Sequence, residues 1–513
     1  MDKTFISEDI VSEFSSAIGK EKIYIDKPTR MCYTFTHGPE FLLHENYLDL
    51  FLPDAVLTPS CTEDVQNIVR IANKYKTLLI PSGGRSHSYG AEGMRGGIVV
   101  DMVRMDKILD IDEENYLVTG ESGVLMVDLV SYLQKRGYMA IDWPASDEIA
   151  TLGARASTNG YNWWENRWGS AGIIIQGLEV VLPDGNVVQV GRGSKIPTKA
   201  STGWNLMDLF IGSRGTIGII TKVTETFTNL PSKSSSGQAA FSNFKDAIEA
   251  YLNLKKSKYS NNLWRATCTV NEKTRYPIVK GKSWPDEIAM VVGYTLYGEL
   301  YEVEGMGKCA EEILKNHNGF KKQEISELNR WWDSVGREWR GVQEIFNSGY
   351  DLSFASHLFS GKIEAKGYSA HPIFLDPNIP DGSLVDYYSE LQKLLDLIEN
   401  GKTYPNLANC INIGDHGAIL PGVRGYNKMW VVLYVYQKNM DGESRKEFID
   451  WFRKYAELVW RFGGAISSTH AWIPRELEVE FMKKTMGQTE YELMKKIKNL
   501  FDPNNIMNPK IFF

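Results

Sequence analysis

Five cysteines in 513 residues, scattered at 32, 61, 268, 309 and 410 with no CxxC pair, exclude a disulfide framework, a zinc ribbon and an iron–sulfur cluster. No run of ~18 apolar residues occurs, so no spanning helix is expected. The start, "MDKTFISEDIVSEF", lacks a cationic segment followed by an apolar one, so no secretory leader is expected and the chain reads as cytoplasmic. Basic blocks are missing too. Lys and Arg number 57 against 64 Asp and Glu, a net charge of −7, which speaks against nucleic acid as a partner. There is no Walker A pattern and no GxGxxG after a strand, so the usual nucleotide fingerprints are absent. No internal repeat is evident. What remains is 43% apolar and 24% charged, the balance of a soluble globular chain long enough for two or three domains.

A strand–helix–strand pattern opens at Ala55. "AVLTP" is a short apolar run, and Ser60 with Glu63 three residues on forms a capping box for a helix carrying Val65, Ile68, Val69, Ala72 and Tyr75. "TLLIP" is a strand breaking at Pro81. "GIVVDM" and "YLVTGESG" are strands, and "VLMVDLVSYLQKRG" is a helix closing at Gly137. "IIIQGLEVVLPDGNVVQVG" reads as a hairpin turning at Asp184-Gly185. "WNLMDLFIGSRG" is a short helix and "TIGIITKVTETF" a strand. Asn229–Gln238, "NLPSKSSSGQ", is a polar breaker and the first boundary. Beyond it, "EIAMVVGYTLYG" and "MWVVLYVYQ" are strands of a second α+β region, and one helix is expected from about Glu476 to Leu500.

The chemistry concentrates in "LIPSGGRSHSYGAEG", Leu79–Gly93. Glycines bring backbone N–H groups close to an anion, while Ser82, Ser86 and Ser88 add hydroxyls and Arg85 a cation. A nucleophile elbow is disfavoured, because Ser88 stands where GxSxG needs its last glycine. Two further stretches share this composition. "WPASDEIATLGARASTNG" contains Pro144, Ser146, Thr151, Gly153, Ser157 and Thr158, and "IGSRGTIGIIT" contains Gly215 and Ile220.

These three stretches, with "FGGAISSTHA" and the ending "LFDPNNIMNPKIFF", resemble the vanillyl-alcohol oxidase / p-cresol methylhydroxylase (PCMH-type) flavoprotein family. The ending is similar to that family's DPxxIMNPGKxF, with Lys510 where glycine is usual and Asn508 matching. The resemblance implies an α+β fold: a two-subdomain PCMH-type FAD-binding domain over 51–231 and an α+β cap domain over 232–455. A segment 456–513 would return to the first domain, and 1–50 would be an N-terminal helical segment. It implies FAD cradled by Ser82, Gly83, Gly84, Arg85, Ser86, His87, Ser88 and the later stretches, and an FAD-linked oxidase or dehydrogenase acting on CH–OH or benzylic CH groups. The substrate would be a small alcohol, phenol or hydroxy acid. Its hydride would pass to flavin N5, with a histidine as base.

Within the family the subgroups separate by residue. Members oxidising D-2-hydroxy acids carry HxGDGNxH and GEHG. Here "NIGDHGAI" puts Asn412 and Ile419 at the metal-ligand positions and Thr469 precedes His470, so no metal site is expected and that subgroup is disfavoured. Phenol oxidisers match at Tyr89 and at Thr469-His470, but Ser467 and Ser468 replace a Tyr-Arg pair. Ether-lipid (alkylglycerone-phosphate) synthases match at Ser86, Ser88, Tyr89 and Gly90, which keeps a non-redox transferase as the alternative. The catalytic set expected is His470 as base, Tyr89 and His416. Either His416 or His87 is a candidate for a covalent bond to FAD, or neither. Arg337, Arg340 and Arg424 are candidates for binding a substrate anion. The partners expected are a small substrate and an electron acceptor, either oxygen or a separate redox protein; a homodimer is left open.

Overall fold

Three of the short apolar runs lie side by side as parallel strands and form the floor of the N-terminal half. The computed structural model describes residues 6–34, 50–86, 94, 96–144, 146–162, 164–191, 203–258, 263–270, 287–320, 364–365, 368–422, 425–436, 442–466, 473–509 and 511–512. Two compact units result. One holds Met1–Asn162, Ser170–Asn229 and Ile473–Phe513; the other holds Trp163–Gly169 and Leu230–Trp472.

In the first unit, helix α1 (Glu8–Ile18) leads to β1 (Ile23–Tyr24) and helix α2 (Lys27–Met31). Strand β2 (Ala55–Leu57), helix α3 (Thr62–Tyr75), β3 (Leu78–Ser82) and β4 (Gly97–Asp101) make a sheet of order β1-β2-β4-β3, with β2, β4 and β3 parallel. All five residues of β4 are buried, as a parallel strand covered on both faces requires. Val65, Ile68, Val69 and Ala72 of α3 pack with Leu57, Leu79, Ile98 and Val100, while α1 adds Phe14 and Ile18. The helix start differs from the expected capping box. Asp64, not Glu63, reaches back to Ser60, accepting from its N–H at 2.8 Å and its hydroxyl at 3.1 Å. Lys22, 2.6 Å away, holds the Asp64 carboxylate in that position. Nor does β3 stop at Pro81; it runs to Ser82. It is last in the sheet order, and an edge strand tolerates a missing N–H.

The second sheet of this unit is antiparallel: β5 (Ile108–Asp112), β6 (Leu117–Glu121), β8 (Ile175–Val181), β9 (Val187–Gly191) and β10 (Ile219–Asn229), in the order β5-β6-β10-β8-β9, with β7 (Tyr138–Ala140) also on β10. The β8–β9 hairpin turns at Asp184-Gly185 as expected, with Gly185 at φ +83°. Helix α4 (Met126–Gln134) precedes β7, and α5 (Leu152–Thr158) follows it.

The next short helix, α6 (Glu165–Trp168), already belongs to the second unit. There Glu165 pairs with buried Lys428 at 2.7 Å, and Asn166 donates to the Leu263 carbonyl at 3.1 Å. That unit is a sheet of order β11-β13-β12-β17-β18-β15-β14: β11 (Lys233–Phe241), β12 (Leu263–Val270), β13 (Met290–Gly298), β14 (Glu364–Ala365), β15 (Tyr368–Leu375), β17 (Ile411–Pro421) and β18 (Tyr426–Tyr436), with β16 (Asn378–Pro380) beside β18. Its helices include α7 (Phe244–Lys256), α8 (Leu300–Asn316), α9 (Leu384–Glu399) and α10 (Gly442–Arg461). The serine-rich breaker is a correction: from Lys233 on it is strand, because nine consecutive residues find partners on β13. Pairing overrides weak strand propensity.

The chain then returns to the first unit as two helices, α11 (Arg475–Met486) and α12 (Gln488–Phe501). One helix was expected; Gly487, at φ +89°, breaks it. Lys498 anchors the return. Its ammonium, 3% exposed with the rest of the residue, donates to the carbonyls of Thr216 (2.8 Å) and Met507 (2.7 Å) and to the Asp502 carboxylate. Asp502 in turn accepts from the N–H groups of Ile506 (3.0 Å) and Met507 (2.8 Å). Residues 506–508 are thereby laid along the free edge of β3, with Leu79 N–H donating to the Ile506 carbonyl at 2.7 Å and Asn508 N–H to the Leu79 carbonyl at 2.8 Å. Among the described residues no helix is long and apolar enough to cross a membrane.

Lys498→Met leaves Asp502 as a buried carboxylate without its cation. Urea unfolding is expected to show a loss of about 3–5 kcal/mol, part of which Lys498→Met/Asp502→Asn recovers.

Candidate cofactor site

The carboxyl end of β3 is where the chemistry-bearing stretches meet, the place where parallel strands open a crevice to ligands. Ser82, 2% exposed, ends the strand, and Gly83-Gly84-Arg85-Ser86 follow. The loop lies directly on residues 146–154. A β-carbon on Gly84 would stand 1.4 Å from the Ile149 carbonyl oxygen, and one on Gly83 would stand 2.4 Å from Thr151 Oγ1. Only glycine fits either position.

The facing segment is itself tightly placed. Ile149 and Ala150 N–H groups turn back onto the Ser146 carbonyl (3.1 and 2.7 Å), while Leu152 and Gly153 donate to the carbonyls of Val124 (2.9 Å) and Ser122 (2.8 Å). Pro144 is buried and Ser146 half-buried. The third stretch joins through backbone bonds: Arg214 N–H donates to the Ser157 carbonyl at 2.9 Å, and Gly215 turns with φ +70°. Asn508 closes the ring of segments, its Nδ2 donating to the Arg214 carbonyl at 2.8 Å.

Two buried hydroxyls at this junction, Thr151 Oγ1 and Ser122 Oγ, have no hydrogen-bond partner among the described residues. A buried polar atom left unpaired costs about 1–3 kcal/mol, so these two hydroxyls are available to a polar ligand. Other residues of the expected set are engaged elsewhere. The Thr158 hydroxyl donates to the Ala154 carbonyl at 2.8 Å, and Ile220 is a buried strand residue opposite Val180. Arg85, at φ +54°, donates to the Cys32 carbonyl and lies over the Tyr33 ring, 4.2 Å from its centroid.

His87, Ser88, Tyr89, His470, Arg337, Arg340 and Arg424 lie outside the described residues. The His416 backbone lies in β17 opposite Val431 of β18, in the second unit.

Charge behind the cradle was not anticipated. Arg155 of α5 binds Asp142 through Nε (3.0 Å) and through Nη2, which also donates to the Gly160 carbonyl at 3.0 Å. Glu225 of β10 is fully buried with both carboxyl oxygens unpaired among the described residues. Burial, and then the charge of Asp142, push its pKa well above the usual carboxylate range, against the pull of Arg155. The signal was legible: Glu225 falls in phase with the buried positions 219, 221, 223 and 227 of β10. Glu148, next to Ile149, is pushed up to about 8 by burial and by Asp147 beside it. A carboxyl that is largely neutral near neutral pH spares an anion site one repelling charge.

Comparison with known proteins decides what the ligand is. Residues 53–191 match the FAD binding domain, and residues 365–511 match the C-terminal domain of FAD-linked oxidases, together a little over half of the chain. The chain is a flavoprotein of the FAD-linked oxidase group. The flavoprotein is 24% identical to a D-lactate dehydrogenase of Anaerostipes hadrus over 89% of each chain. It is also 24% identical to an alkyldihydroxyacetonephosphate synthase of Caenorhabditis elegans, over 89% of this chain and 75% of that one. Its fold matches p-cresol methylhydroxylase with substrate bound at a TM-score of 0.75 and 18% identity, covering 99% of this chain and 97% of the other, so the PCMH-type α+β expectation holds. FAD is the cofactor, and the chemistry of the cradle is compatible with it: a glycine-rich backbone turn, and hydroxyls of Thr151 and Ser122 with no partner among the described residues.

The sign of the Glu225 effect is definite. Its folded pKa is raised, so between its unfolded value near 4.5 and the folded value the native state holds a proton the unfolded state lacks, and stability falls as pH rises. Glu225→Gln is expected to flatten the pH dependence of chemical unfolding above pH 5, removing a slope of up to about 1.4 kcal/mol per pH unit.

Proposed function

We propose that this flavoprotein oxidises the CH–OH group of a small alcohol or hydroxy acid, with residues 82–86, 122, 151–153, 214–216 and 508 holding FAD. The single observation that carries the binding half is the glycine pair pressed onto 149–151 beside two unpaired buried hydroxyls. The substrate half rests on the likeness to a D-lactate dehydrogenase, and it departs from the sequence expectation that disfavoured the hydroxy-acid subgroup for want of its metal ligands. Bound FAD supplies a two-electron acceptor for the substrate C–H. His470 takes the hydroxyl proton, since an imidazole near neutrality suits a general base, and Tyr89 contacts the substrate oxygen. The departure from metal-assisted relatives supports a reaction without a divalent ion. Ile419, at a ligand position of the resemblance, is a fully buried hydrocarbon side chain in β17.

A second reading follows from the likeness to alkyldihydroxyacetonephosphate synthase, that of a non-redox exchange. Anaerobic mixing with a panel of 2-hydroxy acids, primary alcohols and 4-alkylphenols separates the two. Lasting bleaching of the yellow flavin by a hydroxy acid or alcohol is expected, slowed about 10²–10⁴-fold in His470→Ala. Bleaching that reverses without reducing an added acceptor would favour the exchange, and no response across the panel would contradict both.

A further inference from the structure

The matched FAD-binding domain begins at residue 53, yet residues well before it reach the glycine loop. Helix α2 is capped by Asp26, whose carboxylate accepts the Thr29 N–H at 2.9 Å, with Pro28 in its first turn. Arg30, 5% exposed, donates from Nε to the Pro53 carbonyl at 2.6 Å and ties the helix to the start of the domain. The chain then turns so that the Cys32 carbonyl accepts from Arg85 and the Tyr33 ring lies under its guanidinium, 4.2 Å from centroid to cation. The Tyr33 hydroxyl donates to the Asp101 carboxylate. Asp101 ends β4, is 5% exposed, and stands in register with Ser82, the last residue before the glycine pair.

Arg85 is therefore gripped from outside the cradle. It follows Gly84 directly and holds a left-handed backbone, φ +54°, that a residue with a β-carbon adopts only when something retains it. What retains it is the stack on Tyr33, whose hydroxyl is held by Asp101, and the bond to the Cys32 carbonyl. The guanidinium thus points to the N-terminal segment, and the loop's shape is set by that contact.

We propose that residues 27–34 are a strap that sets FAD affinity. Tyr33 is a positioning residue: through Arg85 it holds the Gly83-Gly84 backbone in the form that receives the cofactor's anionic part. The proposal rests on the assignment of this loop as the FAD cradle. The strap's contacts are with Pro53, Arg85 and Asp101, so its expected effect is on cofactor retention rather than on the chemical step.

The test is FAD binding to the apoprotein, read by quenching of free flavin fluorescence. Thermal melts of each apoprotein run alongside. Tyr33→Leu is expected to raise the FAD Kd about tenfold, the scale of a cation–π contact and one hydrogen bond lost together. Tyr33→Phe keeps the ring under Arg85 and loses only the bond to Asp101, so its Kd falls between that of wild type and Tyr33→Leu. Arg85→Lys combined with Tyr33→Leu is no weaker than Tyr33→Leu alone, because both break one linkage. Glu13→Ala, which removes the exposed ion pair of α1 with Lys74 of α3, leaves the Kd unchanged and controls for general loosening of the N-terminus. A Tyr33→Leu Kd within twofold of wild type, or additive effects of the two substitutions, overturns the strap. If Tyr33→Leu does not fold, Arg85→Lys alone decides, and a Kd within twofold of wild type overturns it equally. Wild-type protein that binds no FAD would instead overturn the cradle assignment itself.

Discussion

Backbone pressed against backbone at Gly84 is the constraint on which the rest of the first unit depends. The Ile149 carbonyl occupies the space a side chain would need, so the loop after β3 and the segment before α5 are fitted to each other with no room to spare. Everything that positions either partner positions the cradle. On one side stand β4 and the Tyr33–Asp101 contact; on another are the bonds from Leu152 and Gly153 to the Val124 and Ser122 carbonyls. The C-terminal residues 506–508, held by Lys498 and Asp502, brace the edge of β3 itself. Stretches far apart in sequence thereby meet around the end of β3, which is why the proposed cofactor site is placed there.

The second unit is braced by charge buried among strands. Lys255 of α7 donates to Asp381 and Asn427 (both 2.9 Å) and to the Tyr426 carbonyl, and the Tyr251 hydroxyl donates to the same Asn427 oxygen at 2.8 Å. Next in sequence, Lys428 pairs with Glu165. Adjacent residues of β18 thus hold a helix of their own unit and the short α6. Fully satisfied networks of this kind specify one arrangement, because any alternative leaves a buried charge exposed to hydrocarbon. Residue 162 ends a stretch of the first unit and residue 170 begins the next, so α6 is a pinned excursion of the chain through the second.

How much of this could be read from sequence depended on whether the cause was local. The strands Ala55–Leu57, Gly97–Asp101 and Ile175–Val181 follow from apolar runs bounded by turn residues, and the Asp184-Gly185 hairpin follows from turn chemistry. Strand β11 did not, because its serines are held in a nine-residue pairing with a strand, their partners about sixty residues away. The break at Gly487 was legible, since a lone glycine between helical runs marks a C-terminus, yet periodicity on both sides masked it. At the site, Gly83, Gly84, Thr151 and Asn508 stand out as small or polar residues near strand ends. Ser122, Asp142, Arg155 and Glu225 act through tertiary burial, which only the phase of Glu225 in its strand foreshadowed. Tyr33 and Asp101 were invisible for the same reason: their link spans 68 positions.

Whether residues 79–86, 149–158 and 506–508 form one FAD cradle is tested most directly by amide hydrogen exchange of the apoprotein with and without added FAD. The account predicts that FAD slows exchange in all three segments together, with the largest gain at the amides following Ser82. Protection confined to other parts of the chain, or gained in one of these segments and not the others, would contradict it.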